Sequence, residues 1–542
     1  MPISRPSVKK STRKSTNQKP HLIIEAGPGS GKTTTMLAGL NLMSGLKPSW
    51  YDEATDEQKA IWEEMDGSYK SIAFQAFNKS IATEIQEKVP PHVKASTFHS
   101  FGYKVLRDAG FKLRMSGAND SIMVKVRMGF DPKERMDEKS YRKCQKIVKF
   151  IGLLKNNLLN ATKANILELA AHNSIEVNGD LEEIRSICDH CMQTMIDNVK
   201  NGSQQWISFD DMLWLPIVLE LDFSSSKVDL LICDESQDLN AVQHRMVTQS
   251  GSRLICVGDP RQAIYGFRGA DSKSLETLET ILSKTDRGVK KMPLLTSFRL
   301  PVSGVENVLP YAPALKARKD APEGSINRMN ESEANADFFQ GGELVLSRVN
   351  ANIFSMAFRL LREKVAVRIE GRDFGKTLIN IVSKNSNGET IAEVVDGLNK
   401  YNEDEMDRLG KKQFSEKLID AHNEKMNCLY SMISECNSLT EIVSTIETLF
   451  NNDTPRSQVV LLSTIHRAKG LEADRVLILD PSQIPHPMAK LEHERQQEFN
   501  LKFVAETRHL TSLYYVDPKN TDDDDRDELC DPVREDLMDI DA

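Results

Sequence analysis

The chain has 542 residues, which is too long for one hydrophobic core and predicts about three or four domains. Its hydrophobic content of 39% and charged content of 27% are typical of a soluble globular protein, and no apolar run approaches the ~18 residues that would span a membrane. The net charge of −9 does not exclude nucleic-acid binding, because a groove can be basic while the whole chain is acidic.

The two ends of the chain carry opposite charge. The first twenty residues contain six Lys or Arg and no acid, whereas residues 521–542 contain eleven acids and two arginines. We therefore expect residues 1–20 to be a basic disordered arm and residues 519–542 an acidic disordered tail. The arm is either a flexible leader or a source of salt-sensitive phosphate contacts. The tail is either solubilising, or a mimic of nucleic acid that folds onto a basic groove or docks a protein partner.

The cysteines indicate a reducing compartment. Eight of them are scattered without a paired framework, which is typical of a cytoplasmic protein. Cys188 and Cys191 have zinc-like spacing, but no second pair lies nearby, and their segment has the pattern of an amphipathic helix. Two half-buried helix cysteines are therefore favoured over a metal site.

Short apolar, β-branched runs predict strands that are buried on both faces of parallel sheets. In chain order these runs are 21–26, 71–77, 228–235, 253–259, 292–298, 342–348, 365–371, 459–465, 475–481 and 512–517.

Two charged blocks without such runs, about 107–205 and 373–455, are predicted to be mainly helical. The simplest organisation is therefore two α/β layers, each interrupted by a helical insertion. We assign 21–106 with 206–292 to the first layer and 107–205 to its insertion. Residues 293–372 with 456–518 form the second layer, and 373–455 its smaller insertion.

The stretch "GPGSGKTT" follows the first predicted strand and precedes a helical pattern. It has the G-x-x-x-x-G-K-T spacing of a phosphate-binding loop in the strand–loop–helix context that such a loop requires. Its backbone N–H groups and the helix N-terminus would surround phosphates, Lys32 would reach the β and γ phosphates, and Thr33 would ligate Mg²⁺. The predicted nucleotide-contacting residues of this loop are Gly27, Pro28, Gly29, Ser30, Gly31, Lys32, Thr33 and Thr34.

The acidic stretch "LLICDESQD" supplies the other half of a nucleotide-hydrolysing site. Asp234 ends an apolar strand, where it can hold Mg²⁺, and Glu235 can orient or deprotonate the attacking water. An acidic pair after a strand is also a common helix cap. Together with the glycine-rich loop, however, the pair predicts hydrolysis of a nucleoside triphosphate, with ATP and Mg²⁺ as the expected ligands.

Seven motifs occur in the order and rough spacing of the UvrD/Rep-like helicases of superfamily 1, and the chain resembles that family over residues 22 to about 517. The motifs are "GPGSGKTT", "STFHSFGYKVL", "DESQD", "GDPRQAIYGFRGAD", "TSFRLP", "STIHRAKGLE" and "FVAETRH". The short second insertion and the "SFR" form look closest to small phage members and F-box DNA helicases. The resemblance implies an α/β fold of two RecA-like parallel-sheet domains, with ATP between them and single-stranded DNA across their top.

The resemblance also implies which groups complete the ATP site. Gln262 would sense the γ-phosphate, Arg299 would reach it, and Arg508 would be the arginine finger. Phe298 stands where the family usually has a tyrosine that stacks on the base, and Glu472 matches the residue that holds the ribose. The glutamine with which the family reads adenine has no counterpart here, because Gln18 lies too close to the glycine-rich loop. Preference for ATP over other triphosphates is therefore open.

The implied DNA contacts follow the same motifs. In "GDPRQAIYGFRGAD" one end of the loop would feel hydrolysis while the aromatic end holds a base, so that the loop couples the two events. A packing role for these aromatic residues is the alternative. The implied contact residues are Asn78, Lys79, Thr97, Phe98, His99, Tyr265, Phe267, Arg268, Thr464 and His466.

The leading hypothesis is an ATP-dependent DNA helicase that moves 3′ to 5′ on single-stranded DNA, with strand junctions as substrates. The alternatives are a translocase that strips proteins from DNA, and a DNA-gated ATPase switch or assembly subunit. A protein partner is expected, if at all, at the acidic tail or at residues 373–455. Asp210 and Asp211 in "SFDDML" resemble another family segment but have the alternative role of a helix cap.

Overall fold

The computed structural model describes residues 18–518 except 77, 174, 176, 178, 265, 267–272, 411–414, 434–435 and 451–453. The predicted basic arm (apart from its last three residues), the acidic tail, and Tyr265, Phe267 and Arg268 lie outside the described residues. None of the described helices combines the length and apolar character needed to cross a bilayer.

Strands occur throughout the described chain. In chain order they are β1 (His21–Ala26), β2 (Ile72–Ala76), β3 (Val93–Thr97), β4 (Arg114–Met115), β5 (Trp206–Ile207), β6 (Val228–Cys233), β7 (Gly251–Gly258), β8 (Val289–Leu294), β9 (Thr296–Ser297), β10 (Lys316–Ala317), β11 (Ser325–Asn330), β12 (Leu344–Ser347), β13 (Val367–Ile369), β14 (Val460–Thr464), β15 (Ala473–Leu479) and β16 (His509–Asp517).

Helices fill the remaining length, and short turns of 3-10 helix connect some of the elements. The α-helices are α1 (Lys32–Met43), α2 (Asp56–Met65), α3 (Lys79–Lys88), α4 (Phe98–Asp108), α5 (Asn119–Arg127), α6 (Glu138–Asn156), α7 (Lys163–His172), α8 (Leu181–Lys200), α9 (Phe209–Val218), α10 (Ala241–Ser250), α11 (Ser274–Leu282), α12 (Val302–Val308), α13 (Asn350–Arg362), α14 (Arg372–Asn385), α15 (Ile391–Gly410), α16 (Ser415–Ile433), α17 (Leu439–Leu449) and α18 (Glu492–Glu506).

The strands form two sheets of six parallel strands, which confirms the predicted α/β fold. The first sheet has the order β3-β2-β6-β7-β1-β8 and the second β11-β16-β15-β12-β14-β13. Because all strands of a sheet run the same way, the loops that follow them meet at one edge, where ligands of such sheets bind. The glycine-rich loop follows β1, and the acidic pair follows β6, two positions away.

Every predicted apolar run contains a strand, but two strands of the six-stranded sheets were not predicted. These are β3 ("VKAST") and β11 ("SINRMN"), which lie at the outer edge of the first and second sheet respectively. An edge strand is covered less completely than a central one, so its sequence carries fewer apolar residues and lacks the continuous run that marks the others.

The two predicted helical blocks differ in how they pack. The block from 107 to 205 contains α5 to α8 and forms a hydrophobic cluster with α9, centred on residues such as Phe150 and Ile184. The block from 373 to 455 contains α14 to α17 and shares one cluster with α13 and the second sheet. The second block is therefore an extension of the sheet's own core rather than a separately packed unit.

A buried ion triad ties the first helical block to the first sheet. Lys155 near the end of α6 is 1% exposed, and its Nζ lies 2.7 Å from Asp120 Oδ1 on α5 and 2.7 Å from Asp211 Oδ1 on α9. Burial opposes the charge of Lys155, but the two carboxylates outweigh it and raise its pKa. Asp211 also accepts from the backbone N–H of Ser208 as part of a capping box, so the helix-cap alternative applies to it.

We predict that Lys155→Met lowers the thermal unfolding midpoint and reduces the free energy of unfolding by about 3–5 kcal/mol, because it leaves two carboxylates buried without a counter-ion. Differential scanning calorimetry would measure the change. Lys163→Met is the matched control, since Lys163 on α7 pairs with Glu182 at the surface and is 63% exposed. Equal unfolding midpoints for the two variants would contradict the prediction.

Candidate nucleotide site and nucleic-acid interface

The glycine-rich loop wraps the amino end of α1 at the carboxyl end of β1. Gly29 and Gly31 have φ angles of +67° and +72°, which side-chain-bearing residues rarely adopt. A Cβ at Gly29 would also lie 2.3 Å from the Cβ of Arg299, so the close approach of a distant segment requires glycine there. The loop therefore presents backbone N–H groups and a helix N-terminus to an anion.

Thr33 and Asp234 converge on one point beside this loop. Thr33 Oγ1 donates to Asp234 Oδ2 over 2.6 Å, although the two residues are 201 positions apart. Both groups are hard oxygen donors of the kind that Mg²⁺ prefers, and protein sites for Mg²⁺ on phosphate substrates commonly use only one or two protein ligands. The residues present thus fit the predicted metal.

The surroundings shift the pKa values of the two carboxylates of the acidic pair in opposite directions. Burial, followed by the charge of Glu235, raises the pKa of Asp234 to about 6. Burial also opposes ionisation of Glu235, but Lys32 and Lys469 outweigh it and lower the pKa of Glu235 to about 2. Lys32 Nζ lies 3.5 Å from Glu235 Oε1. Glu235 is therefore an anion at neutral pH, as a residue that accepts a proton from water must be.

The backbone at Glu235 is strained as well. Its φ angle is +51°, in the left-handed region that residues with a side chain seldom occupy. Such strain persists only where the surroundings enforce it, and it is common at functional sites. The turn directs the Glu235 side chain toward the loop and toward Lys32.

Gln262 follows β7 and is locked by hydrogen bonds on the floor of the cleft. Its Nε2 donates to Asp259 Oδ2 over 2.8 Å, and the backbone N–H of Asp259 donates to Gln237 Oε1 over 3.1 Å. The side chain of Gln237 in turn donates to Glu235. These hydrogen bonds link Gln262 to the acidic pair. They leave its side-chain oxygen, Oε1, free to accept from a residue across the cleft.

Arg508 crosses to Gln262 from the second half of the chain. It lies between α18 and β16, and its Nη2 donates to Gln262 Oε1 over 3.3 Å. Its Nε donates to the Val504 carbonyl over 2.8 Å, and the side chain is only 1% exposed. Among the described residues Arg508 forms no ion pair.

The charge of Arg508 is consequently only partly compensated, by the more distant carboxylates of Glu235, Glu472 and Asp259. Burial, followed by the charge of Arg299, lowers its pKa to about 9. A buried guanidinium that has only neutral hydrogen-bond acceptors is costly, and a phosphate group placed beside it would remove that cost.

Arg299 and Glu472 form a pair at the rim. Arg299 Nε donates to Glu472 Oε2 over 2.7 Å, and Arg299 Nη1 donates to the Thr507 carbonyl over 3.4 Å. Phe298, one residue earlier, is 39% exposed, and its ring edge lies 4.0 Å from where a Cβ on Gly31 would stand. An aromatic face and an acidic group are therefore available where a base and a ribose would project from the loop.

These groups enclose a cleft of about 330 Å³ between the two sheets. Its walls come from the glycine-rich loop, from the ends of β6 and β7, and from the second half of the chain. The side chains that contribute charge or hydrogen bonds are Lys32, Thr33, Glu235, Asp238, Gln262, Arg299, Lys469 and Arg508. The structure thus brings together the residues predicted for catalysis and for phosphate binding.

Two charged residues of the cleft were not predicted. Lys469 Nζ donates to the Gln262 carbonyl over 2.7 Å and pairs with the buried carboxylate of Asp238. Burial raises the pKa of Asp238 to about 6, against the effect of Lys469. Both lie inside quoted motifs, "STIHRAKGLE" and "DESQD", but sequence alone could not show that they face each other.

Gln18 lies at the opposite end of β1 from the glycine-rich loop. Its neighbour Lys19 donates to the carbonyls of Glu63 and Glu64 at the end of α2. The six residues of β1 separate Gln18 from the cleft, which is consistent with the expectation that it does not read adenine.

The predicted DNA contacts around α3 and α4 occupy varied positions. Asn78 and Lys79 are exposed at the start of α3, where Asn78 caps the helix and also lines the cleft. Thr97 caps α4, and Phe98 is 3% exposed. The Phe98 ring packs in the core beneath the helix and offers a strand little surface, whereas its contact with DNA stays a prediction.

His99 is half-buried, and burial lowers its pKa, so the ring is neutral at neutral pH. It contacts Phe209 edge-to-face at 5.9 Å between ring centroids. Phe209, the first residue of α9, is 60% exposed and was not predicted as a contact. The sequence signal for this exposure was the position of Phe209 directly after the N-cap residue Ser208, because the first residue of a helix need not face the core. Thr464 and His466, at and after the end of β14, are half-buried.

Cys188 and Cys191 lie on α8 and are buried, and burial raises the pKa of each thiol to about 12. The predicted helix is therefore present. Asp210, beside the capping residue Asp211, accepts from Asn156 over 3.3 Å at the boundary with the helical block.

Comparison with known proteins places the chain in a family. A model of the UvrD/REP helicase N-terminal domain matches residues 8–282. F-box DNA helicase protein 1 of Schizosaccharomyces pombe (strain 972 / ATCC 24843) is 22% identical over 491 residues, which cover 85% of this chain and 54% of that protein.

Two bacterial relatives each match about half of the chain. ATP-dependent DNA helicase PcrA of Staphylococcus aureus (strain Mu50 / ATCC 700699) is 25% identical over 283 residues, 48% of this chain and 34% of that protein. ATP-dependent DNA helicase Rep of Buchnera aphidicola subsp. Baizongia pistaciae (strain Bp) is 25% identical over 273 residues, 47% of this chain and 36% of that protein. The chain thus spans about half of the first relative and about a third of the other two. The family model covers half of the chain, and the chain belongs to the UvrD/Rep helicase family.

Proposed function

We propose that this chain is a DNA-dependent ATPase that couples Mg²⁺-dependent hydrolysis of ATP to 3′–5′ movement along single-stranded DNA and to unwinding of duplex DNA. Membership of the UvrD/Rep helicase family supports the activity, and the direction of movement rests on the resemblance to that family. The observation that carries the proposal is the contact of Arg508 with Gln262. It joins the two halves of the chain directly over a phosphate-binding loop.

The geometry supports an in-line hydrolysis. A water oxygen attacks the γ-phosphorus, the bond to the bridging oxygen breaks, and ADP leaves with the electron pair. Glu235, an anion at neutral pH, orients the water and accepts its proton. Lys32, Arg299 and Arg508 surround the developing charge. Thr33 and Asp234 would hold Mg²⁺, which neutralises charge on the β and γ phosphates when it is bound.

Coupling to DNA is proposed to pass through the loop after β7. Gln262 lies at the beginning of this loop. Its side chain contacts Asp259 and Arg508, and its backbone carbonyl accepts from Lys469. When a γ-phosphate is lost, the charge balance around Gln262 changes. The family resemblance assigns the following residues, Tyr265, Phe267 and Arg268, to the strand, so a movement of Gln262 would alter the hold on a base.

Lys32 tests the phosphate-binding part of the proposed function. Lys32→Ala should lower ATP turnover at least a hundredfold with or without single-stranded DNA, because the loop loses the cation that reaches the β and γ phosphates. Phosphate release measured with and without oligothymidylate would test it. Lys47→Ala is the control, since Lys47 is exposed and forms its ion pair with the exposed Asp52. Turnover by the native chain that is the same with and without DNA would contradict the proposed function.

The second prediction concerns Arg508. Arg508→Ala should lower kcat by about 10³-fold, while nucleotide affinity changes less, because an arginine that stabilises mainly the transition state acts on rate. Single-turnover kinetics with fluorescent-nucleotide binding would separate the two effects. Arg318→Ala, a half-exposed arginine paired with Asp320, is the control. A loss confined to affinity would argue against the finger role.

The third prediction concerns Phe209. Phe209→Leu should weaken binding of single-stranded DNA about tenfold, because it keeps an apolar side chain but removes the flat ring on which a base stacks. Phe209→Trp should retain the affinity. Fluorescence anisotropy of a labelled oligothymidylate at fixed salt would compare them. If the leucine and tryptophan variants bind equally well, Phe209 does not stack on a base.

A further inference from the structure

A second exposed aromatic residue lies three positions before Phe209. Trp206 is 44% exposed, and it occupies the segment that leads from the first helical block back to the first sheet. The other three tryptophans, Trp50, Trp62 and Trp214, are half-buried or buried. Two large aromatic side chains left in water three positions apart mark a binding surface more often than an isolated exposed apolar residue does.

The backbone holds Trp206 outward. β5 pairs in parallel with β4, and the register places Arg114 opposite Trp206 and Met115 opposite Ile207. Successive side chains of a strand point to opposite faces, so Ile207, which is fully buried, anchors the strand while Trp206 faces solvent. The orientation is therefore set by packing of the neighbouring residue.

Arg114 lies over the Trp206 ring, with the guanidinium carbon 5.8 Å from the ring centroid. This cation–π contact covers one face of the indole and leaves the other available. Arg114 and Lys112 are both exposed, and neither has a carboxylate within 4.0 Å among the described residues. The surface thus combines an aromatic face with two uncompensated positive charges.

The geometry points to Trp206 and Arg114 as a stacking platform for a base of single-stranded DNA, with Arg114 and Lys112 facing its phosphates. The inference rests on the proposed function and extends its strand path from His99 and Phe209 onto the boundary of the first helical block. Flat π faces and a negative backbone are the two features of single-stranded nucleic acid that this surface complements. An acidic or apolar partner would match only half of it.

The platform is separate from the nucleotide cleft. α4 follows β3, which lies four strand positions from β1 in the first sheet. We call His99, Phe209 and Trp206 together the aromatic strip. At about 4.8 Å per strand, its His99 end is roughly 20 Å from the glycine-rich loop. A base held there is therefore gripped at a distance from the phosphates, through side chains that take no part in hydrolysis.

Tryptophan emission tests the assignment directly. The difference between the native chain and Trp206→Phe isolates the emission of Trp206, and we expect saturating oligothymidylate to quench it. Trp206→Ala should weaken oligothymidylate binding about tenfold, and Trp206→Phe should weaken it less, because a smaller ring still stacks. Arg114→Ala should reduce the salt dependence of binding. Tyr141→Ala is the matched control, since Tyr141 is 53% exposed near the amino end of α6. This substitution should leave DNA affinity and ATP turnover unchanged.

The outcomes separate this inference from the proposed function. If oligothymidylate stimulates ATP turnover but leaves the Trp206 emission unchanged, the platform is wrong and the proposed function stands. If the native chain binds no oligothymidylate in any assay, both are wrong. An emission shift that depends on protein concentration in the absence of DNA would assign the surface to self-association and overturn the platform.

Discussion

The unpaired charge of Arg508 is the constraint on which the cleft depends. Of the four cations that line it, Lys32, Arg299 and Lys469 have carboxylate partners, whereas Arg508 contacts only neutral oxygens. A buried guanidinium without an ion-pair partner destabilises the cleft that encloses it. Under the proposed function, a bound triphosphate would supply the missing negative charge, and loss of the γ-phosphate would withdraw part of that stabilisation.

The pairing of β8 with β1 brings the segment that connects the two sheets into direct contact with the glycine-rich loop. The register carries the chain from Leu294 opposite Ala26 directly onto the glycine-rich loop. There Ser297 donates to the Pro28 carbonyl, and the Phe298 N–H donates to the Gly29 carbonyl, each over 2.8 Å. The segment that connects the two sheets is therefore part of the wall of the nucleotide site. Under the proposed function, a rearrangement around bound phosphates would therefore act directly on the connection between the sheets.

Hydrolysis and the hold on DNA are proposed to occupy different parts of the same sheet edge. Gln262 lies in the cleft, while the exposed ring of Phe209 contacts His99, which follows the edge strand β3, and Trp206 lies three positions before Phe209. The buried triad of Lys155 with Asp120 and Asp211 fixes the helical block against α9, the helix that begins at Phe209. The aromatic strip is thus mounted on a rigid junction, as a surface that must grip successive bases requires.

The sequence by itself determined the parts of this protein that depend on local pattern. Apolar runs marked ten strands, and the spacing of "GPGSGKTT" with the acidic pair after β6 marked the phosphate site, because burial and loop conformation leave their trace in consecutive residues. Only the tertiary structure decided which side chains are exposed and which meet across hundreds of residues. It buried Phe98, exposed Phe209 and Trp206, placed Lys469 on Asp238, and revealed the polar edge strands β3 and β11. Exposure and pairing of this kind are properties of packing between distant segments, which no local pattern encodes.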